Sequence, residues 1–111
     1  MITKGNYMGE FEELVLLSVA SLQDAYGVSI MQYIIEETGR NVNISAVHEV
    51  LKRLQRKGYL KSKMGGATQE RGGRRKRFFL LTVSGKKTLE ETMKLKVHLY
   101  RQVPDFSLKL T

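Results

Sequence analysis

The side chains with the clearest chemical potential are eleven lysines and arginines between residues 52 and 77, because they can neutralise the phosphates of a polyanion. Glu70 is the only acidic residue among them, so this segment carries a net charge of +10. The whole chain has 19 basic and 11 acidic residues, a net charge of +8, which leaves −2 for the remainder. A charged run can be an ordinary solvated surface, but self-repulsion this uneven favours nucleic-acid binding.

No catalytic or metal-binding pattern accompanies these cations. The two histidines, His48 and His98, lie 50 positions apart, and no carboxylate pattern completes a metal site. The sequence has no cysteine, no nucleophile elbow and no Gly-x-x-x-x-Gly-Lys-Ser/Thr motif. We therefore expect a protein without enzyme activity, cofactor or metal.

Much of the positive charge lies on a predicted amphipathic helix. The apolar residues that recur at i, i+3, i+4 and i+7, the spacing of one buried face, are Val47, Val50, Leu51 and Leu54. The side chain of Asn43 or Ser45 can cap the start of this helix, and Gly58 can end it. Its opposite face is small and polar at the start and basic afterwards, with Ser45, Ala46, Glu49, Lys52, Arg53 and Arg56.

The rest of the positive charge lies on a predicted β-hairpin. Residues 59–64 alternate in character as a strand does, and Phe78–Leu81 is an aromatic and aliphatic second strand. Between them, two pairs of glycines bracket a polar loop. The best candidates for phosphate contacts are Arg71, Arg74, Arg75 and Lys76, since guanidinium groups match phosphate oxygens. Arg77 begins the second strand and can lie along it instead.

Three further helices are predicted around these two elements. The first, from about residue 9 to 22, is apolar on nearly every side, so it needs two surfaces to bury against. The second follows Tyr26-Gly27 and ends near Gly39, with Met31, Ile34, Ile35 and Thr38 as its buried stripe. The last spans about residues 83–101, capped by Thr82 or Ser84 and ended by Pro104.

The last helix carries a row of apolar residues that follows an already complete helix–hairpin core, so a partner chain is expected to cover it. Its members are Leu89, Met93, Val97 and Tyr100. Together with Phe11 and Leu14 on the first helix, this seam predicts a two-fold homodimer. The longest apolar run, Leu14–Leu17, is far short of the ~18 residues of a membrane span, and the first nine residues lack the apolar stretch of a signal peptide. We expect a cytoplasmic protein without membrane contact.

The order helix, helix, helix, strand, strand, helix predicts a mainly α fold with a small β-hairpin. Three helices followed by a basic hairpin form a winged helix-turn-helix, in which the third helix enters the major groove and the hairpin, or wing, follows the phosphate backbone. The single domain, residues 1–111, would consist of a core over residues 9–82 and a dimerisation helix over residues 83–103. Four residues near the start of the third helix would face base edges, namely Ser45, Ala46, Glu49 and Lys52, whereas Arg53 and Arg56 would reach phosphates. Asn43 is expected to be a cap more than a base contact.

Three segments in this order resemble the PadR family of bacterial transcriptional regulators. They are Tyr26-Gly27, the run from Val47 through Leu54 with Lys57-Gly58-Tyr59-Leu60 behind it, and Phe78–Gly85. The resemblance implies a DNA-binding repressor that dimerises through its terminal helices and is often released by a small-molecule effector. His48 stands where many members have Tyr and could donate a replacement bond to a phosphate. One C-terminal helix makes this the short subtype.

These features together predict a dimeric regulator, a repressor, that binds a palindromic operator in double-stranded DNA. The alternative is an RNA-binding or ribosome-associated basic module, which small size and a high isoelectric point fit equally well. Single-strand readers use exposed aromatic side chains for stacking. Here at least one of Phe78 and Phe79 must face the core, which favours duplex DNA.

Overall fold

In the computed structural model, which describes residues 7–65 and 75–104, the elements follow the predicted order. They are α1 (Glu10–Ser21), α2 (Gly27–Thr38), α3 (Ile44–Arg56), β1 (Leu60–Met64), β2 (Arg77–Leu81) and α4 (Val83–Arg101). The mainly helical fold with one antiparallel hairpin is therefore confirmed, and the predicted bounds of the last helix agree with α4. Arg71 and Arg74, two of the wing candidates, lie outside the described residues.

The core forms where α1, α2 and α3 pack against one another and against the base of the hairpin. Its fully buried side chains are Val15, Leu16, Ser18, Ile30, Ile34, Val47, Leu51 and Leu54. The predicted buried face of α3 is confirmed, because Val50 is buried beside the three members of that set.

The predicted buried stripe of α2 is confirmed at Ile34 and at half-buried Met31, and it is wrong at Ile35 and Thr38. Ile34 is buried, but Ile35 is 37% exposed, and the helix instead turns Gly27 and Ile30 inward. The physical reason is the close approach of α2 to α3 at Gly27. A Cβ atom there would lie 2.6 Å from Cε1 of His48, so a larger residue would displace the His48 side chain from this position.

Two glutamates of α1 are buried rather than solvated on its first turn. Glu12 accepts a 2.8 Å hydrogen bond from the backbone N–H of Gly9, which caps the helix, and it pairs with Lys57 just beyond α3. Glu13 pairs with Lys96 of α4 at 2.7 Å. These contacts join α1 to the end of α3 and to α4, so both buried glutamates have a cationic partner.

Local caps fix the ends of α3 and the hairpin. The Asn43 side chain accepts a 2.9 Å bond from the N–H of Ala46, so Asn43 rather than Ser45 is the cap. Gly58 takes a positive φ of 83°, a conformation that ends α3 and favours glycine. The register of the hairpin pairs Leu60 with Leu81 and Met64 with Arg77.

The last helix starts against the hairpin and then leaves the core. Thr82 caps it by accepting a 2.9 Å bond from the N–H of Gly85. Leu89 is buried and Met93 half-buried, but Val97 is 45% and Tyr100 70% exposed. In the described part of the chain, no helix is both long and apolar enough to cross a membrane.

Candidate nucleic-acid interface

The exposed face of α3 divides into a central strip and two flanks. At 100° per residue, Ser45, Glu49 and Arg56 form the strip, with their side chains exposed. Lys52 lies between this strip and the flank that faces the hairpin, while Arg53 and half-buried Ala46 lie on the other flank. The sequence-predicted residues of α3 thus share one solvent-facing side, and Asn43 stands exposed at its start.

The flank towards the hairpin opens onto a cleft between α3 and β2. Its volume is about 370 Å³, and its lining is Gly27, His48, Leu51, Lys52, Gln55, Arg77 and Phe79. The Ser62 hydroxyl oxygen accepts hydrogen bonds from Nε2 of Gln55 at 3.1 Å and from Nη1 of Arg77 at 3.0 Å. Sequence reasoning did not include Gln55, Ser62 or Arg77 in the site, because only strand pairing brings them together.

The other flank of α3 adjoins the ion pair of buried Glu12 and partly exposed Lys57. Burial alone would raise the pKa of Glu12, but hydrogen bonds from Lys57 and from the Gly9 N–H, with the charges of Lys57 and Arg53, hold it below its ordinary value of 4.5. Arg53 therefore lies within electrostatic reach of this carboxylate, whereas Arg56 lies on the central strip. The two arginines expected to reach phosphates have different surroundings.

The described wing cations are partly engaged within the protein. The Lys76 ammonium lies 4.2 Å from the centre of the Tyr26 ring, a cation–π contact. Tyr26 also meets Phe78 edge to face, with ring centres 5.8 Å apart. Nε of Arg75 donates a 3.1 Å bond to the carbonyl of Gly65. Both cations thus lie at the point where the hairpin leaves the body of the protein.

The residues expected at a dimer interface have three kinds of surroundings. Leu89 is only 8% exposed and belongs to the chain's own core, while Phe11, Leu14 and Met93 pack against that core half-buried. Val97 and Tyr100 are open to solvent. Sequence reasoning missed further exposed apolar residues, namely Leu95 and Leu99 on the distal half of α4 and Val103 just beyond its end. They could have been found by following the helix beyond its first seam.

Titratable side chains do not converge elsewhere in residues 7–65 and 75–104. No group of three or more His, Asp or Glu residues there could hold a metal ion. The cationic surface of α3 and the wing is therefore the candidate site with a clear chemical character.

Comparison with known proteins identifies relatives of this fold. Residues 16–91 match the model of a family described as the transcriptional regulator PadR-like family. None of the curated proteins matches the chain. A PadR-like transcription factor from Bacteroides fragilis has a similar structure, with 23% identity, a TM-score of 0.70, and coverage of 82% of this chain and 84% of that one.

Two further solved structures are similar. The smu.1704 protein from Streptococcus mutans is 28% identical, with a TM-score of 0.66 over 88% of this chain and 86% of its own. PadR from Bacillus subtilis, solved in complex with operator DNA, is 22% identical, with a TM-score of 0.67. That match covers 78% of this chain but 48% of the other, so the present chain spans about half of that protein.

Proposed function

The chain belongs to the PadR-like family of transcriptional regulators, and from this premise we propose that it represses transcription as a homodimer bound to a palindromic operator in double-stranded DNA. Members of this family are regulators rather than enzymes. The observation that carries the proposal is the solvent-facing side of α3, which presents polar and basic residues next to a basic hairpin. Bacillus subtilis PadR, which has a similar fold, was solved with operator DNA, and this supports DNA as the ligand.

The start of α3 would contact bases, and the basic side chains of α3 and the wing would contact phosphates. The start of α3 presents short side chains, Ser45 and Ala46, beside Glu49, and short residues allow close approach to base edges in the major groove. A glutamate in that position accepts a hydrogen bond from the amino group of cytosine. Lys52 would extend this set. The groups that would bind phosphates, sequence-independently, are His48, Arg53, Arg56, Arg71, Arg74, Arg75 and Lys76.

The distal half of α4 supports the homodimer. Leu95, Val97, Leu99 and Tyr100 are all 45% or more exposed, which is an unusual density of apolar surface for a helix end. A second α4, packed with the half-buried Phe11 and Leu14 of α1, would cover it. Residues 83–103 then act as the dimerisation segment, and a two-fold axis places two copies of α3 about 34 Å apart, one turn of DNA.

The test is selection of preferred duplexes from a random-sequence pool, followed by affinity measurements on the selected duplex, a scrambled duplex and single-stranded RNA of the same sequence. We expect a palindromic site and an affinity for it about 10³-fold or more above that for the scrambled duplex. Equal binding to the RNA, or to every duplex, would contradict the proposal and favour an RNA-binding or architectural role.

A pair of matched variants tests whether α3 makes the contact. Arg56→Ala removes an exposed cation of α3, so the slope of log affinity against log salt should fall by about 1 per protomer. Lys94→Ala removes an exposed cation of α4 and should leave the slope unchanged. A reporter gene behind the selected site then tests repression, since higher expression in the absence of the regulator is expected.

A further inference from the structure

The cleft between α3 and β2 concentrates positive charge from two different elements. The two cations are Lys52, which enters it from α3, and Arg77, which enters it from the first position of β2, and His48 lines it beside them. Among the residues that the structure describes, its lining includes no acidic side chain, while Leu51 and Phe79 contribute an apolar floor. Cations beside an apolar floor attract an anion more strongly than the same cations on an open surface. The cleft therefore has the charge and the depth of an anion site.

The Arg77 guanidinium is held in place before any ligand arrives. Ser62 accepts one of its five N–H donors, and the same hydroxyl oxygen accepts from Gln55 of α3. Ser62 of β1 thus links the Arg77 side chain of β2 to Gln55 of α3. The remaining N–H groups keep the fork geometry that matches phosphate oxygens. A fixed fork loses less side-chain entropy on binding than a free arginine does.

The backbone of α2 defines the far wall of the cleft. A Cβ atom on Gly27 would lie 2.6 Å from Cε1 of His48 and 3.2 Å from its Nε2. The imidazole ring therefore lies directly against the first residue of α2, which restricts its movement. His48 can present a ring N–H to the cleft from this position.

We propose that this cleft binds one phosphodiester group of the DNA backbone, held by Lys52 and Arg77, with Ser62 as the positioning residue for Arg77. The proposal rests on the DNA-binding function above and deepens it. It gives Lys52 a phosphate contact in place of a base contact, and it adds Arg77, whose guanidinium was expected only to lie along its strand. The phosphate would be clamped between the recognition helix and the wing, so its position fixes both elements on the duplex.

The test combines protein variants with single neutral methylphosphonate substitutions along the selected duplex. The proteins are wild type, Lys52→Ala, Arg77→Ala and, as a control, Lys61→Ala. Lys61 is an exposed hairpin cation next to Ser62 along β1, so its side chain lies on the opposite face from the cleft. Thermal unfolding followed by circular dichroism checks that each variant folds, and Arg77→Lys, which keeps the charge but loses the guanidinium fork, replaces Arg77→Ala if that variant does not fold.

On the unmodified duplex, Arg77→Ala and Lys52→Ala should each raise the dissociation constant about tenfold, and Lys61→Ala should raise it clearly less. At one position per half-site, a methylphosphonate should weaken DNA binding by the wild-type protein to a similar extent. On that modified duplex, Arg77→Ala and Lys52→Ala should cause little further loss of affinity. Additive losses of affinity at every methylphosphonate position would overturn the proposal that the cleft binds a phosphate. So would an effect of Arg77→Ala no larger than that of Lys61→Ala. If wild type selects no duplex at all, it is the proposed function that fails.

Ser62→Ala separates positioning from general structural support. It should weaken binding several-fold in the wild-type background and have no effect when Arg77 is already alanine, because its role is exerted through that guanidinium. An equal loss in both backgrounds would show that Ser62 acts independently of Arg77.

Discussion

Replacing Gly85 by alanine should separate α4 from the hairpin. Gly85 is buried in the first turn of α4, where a Cβ atom would lie 2.1 Å from the carbonyl oxygen of Tyr59 and 3.0 Å from its Cα. That carbonyl accepts a 3.0 Å hydrogen bond from the backbone N–H of Thr82, and Thr82 in turn caps α4. The added methyl group therefore meets backbone atoms, which cannot rotate away as a side chain can.

The magnitude follows from the distance that must be gained. A non-bonded carbon and oxygen need about 3.3 Å, so the start of α4 must move by about 1 Å. Overpacking of this kind costs about 1–3 kcal/mol, and the strained hydrogen bond from Thr82 adds about 1 kcal/mol. Alanine is favoured over glycine in a helix by about 1 kcal/mol, which offsets part of this. The free energy of unfolding should fall by about 2 kcal/mol.

Urea denaturation followed by far-ultraviolet circular dichroism measures this change, at one fixed protein concentration because the stability of a dimer depends on concentration. Ser84→Ala is the matched control, since Ser84 is the exposed neighbour in the same helical turn, and it should change the free energy by less than about 0.5 kcal/mol. A Gly85→Ala protein as stable as wild type, or more stable, would refute the close approach of α4 to the hairpin.

Three further predictions concern the ion pair, the dimer and the cap. Because the pKa of folded Glu12 is lowered, its contribution to stability is present above the ordinary value of 4.5 and is lost as pH falls through the folded pKa. Glu12→Gln should therefore lower the free energy of unfolding by about 1–3 kcal/mol at neutral pH and flatten the acid limb of a stability–pH curve. An unchanged acid limb would contradict this. The double variant Val97→Asp with Tyr100→Asp should give folded monomers by analytical ultracentrifugation, whereas a persisting dimer would exclude the distal α4 as the interface. Asn43→Ala should lower the free energy of unfolding by about 1 kcal/mol, because the cap of α3 is lost. Asn43→Ser should restore both the stability and the DNA affinity. If serine restores the stability alone, Asn43 contacts DNA as well as capping α3.

Local patterns in the sequence were sufficient for the elements that carry the site. The buried face of α3 and the caps of α3 and α4 depend on residues within a few positions of one another, so periodicity predicts the face and side-chain chemistry narrows each cap to two candidates. The face of α2 could not be predicted in this way. Its stripe shares Ile34 with the observed face, and the choice between the two depends on how closely Gly27 packs against α3.

Non-local pairings account for the remaining differences. The ion-pair partners of Glu12 and Glu13 are Lys57 and Lys96, which lie 45 and 83 positions away, so no local pattern indicates these pairs. Arg77 enters the cleft because the hairpin register places it opposite Met64, two positions from Ser62. Composition cannot supply that register, since the glycine-rich loop between the strands permits several lengths of hairpin.

The neighbouring glutamates of α1 connect the two halves of the proposed mechanism. Glu12 holds Lys57, just beyond the end of the recognition helix, while Glu13 holds Lys96 on the helix proposed to dimerise. A shift of α4 against its partner would therefore move α1, and α1 would move the end of α3. Both links are ion pairs in which the carboxylate is buried and the lysine is partly open to solvent. The spacing of the two recognition helices, and hence of the half-sites, would then depend on the rigidity of α1 as much as on the dimer contact itself.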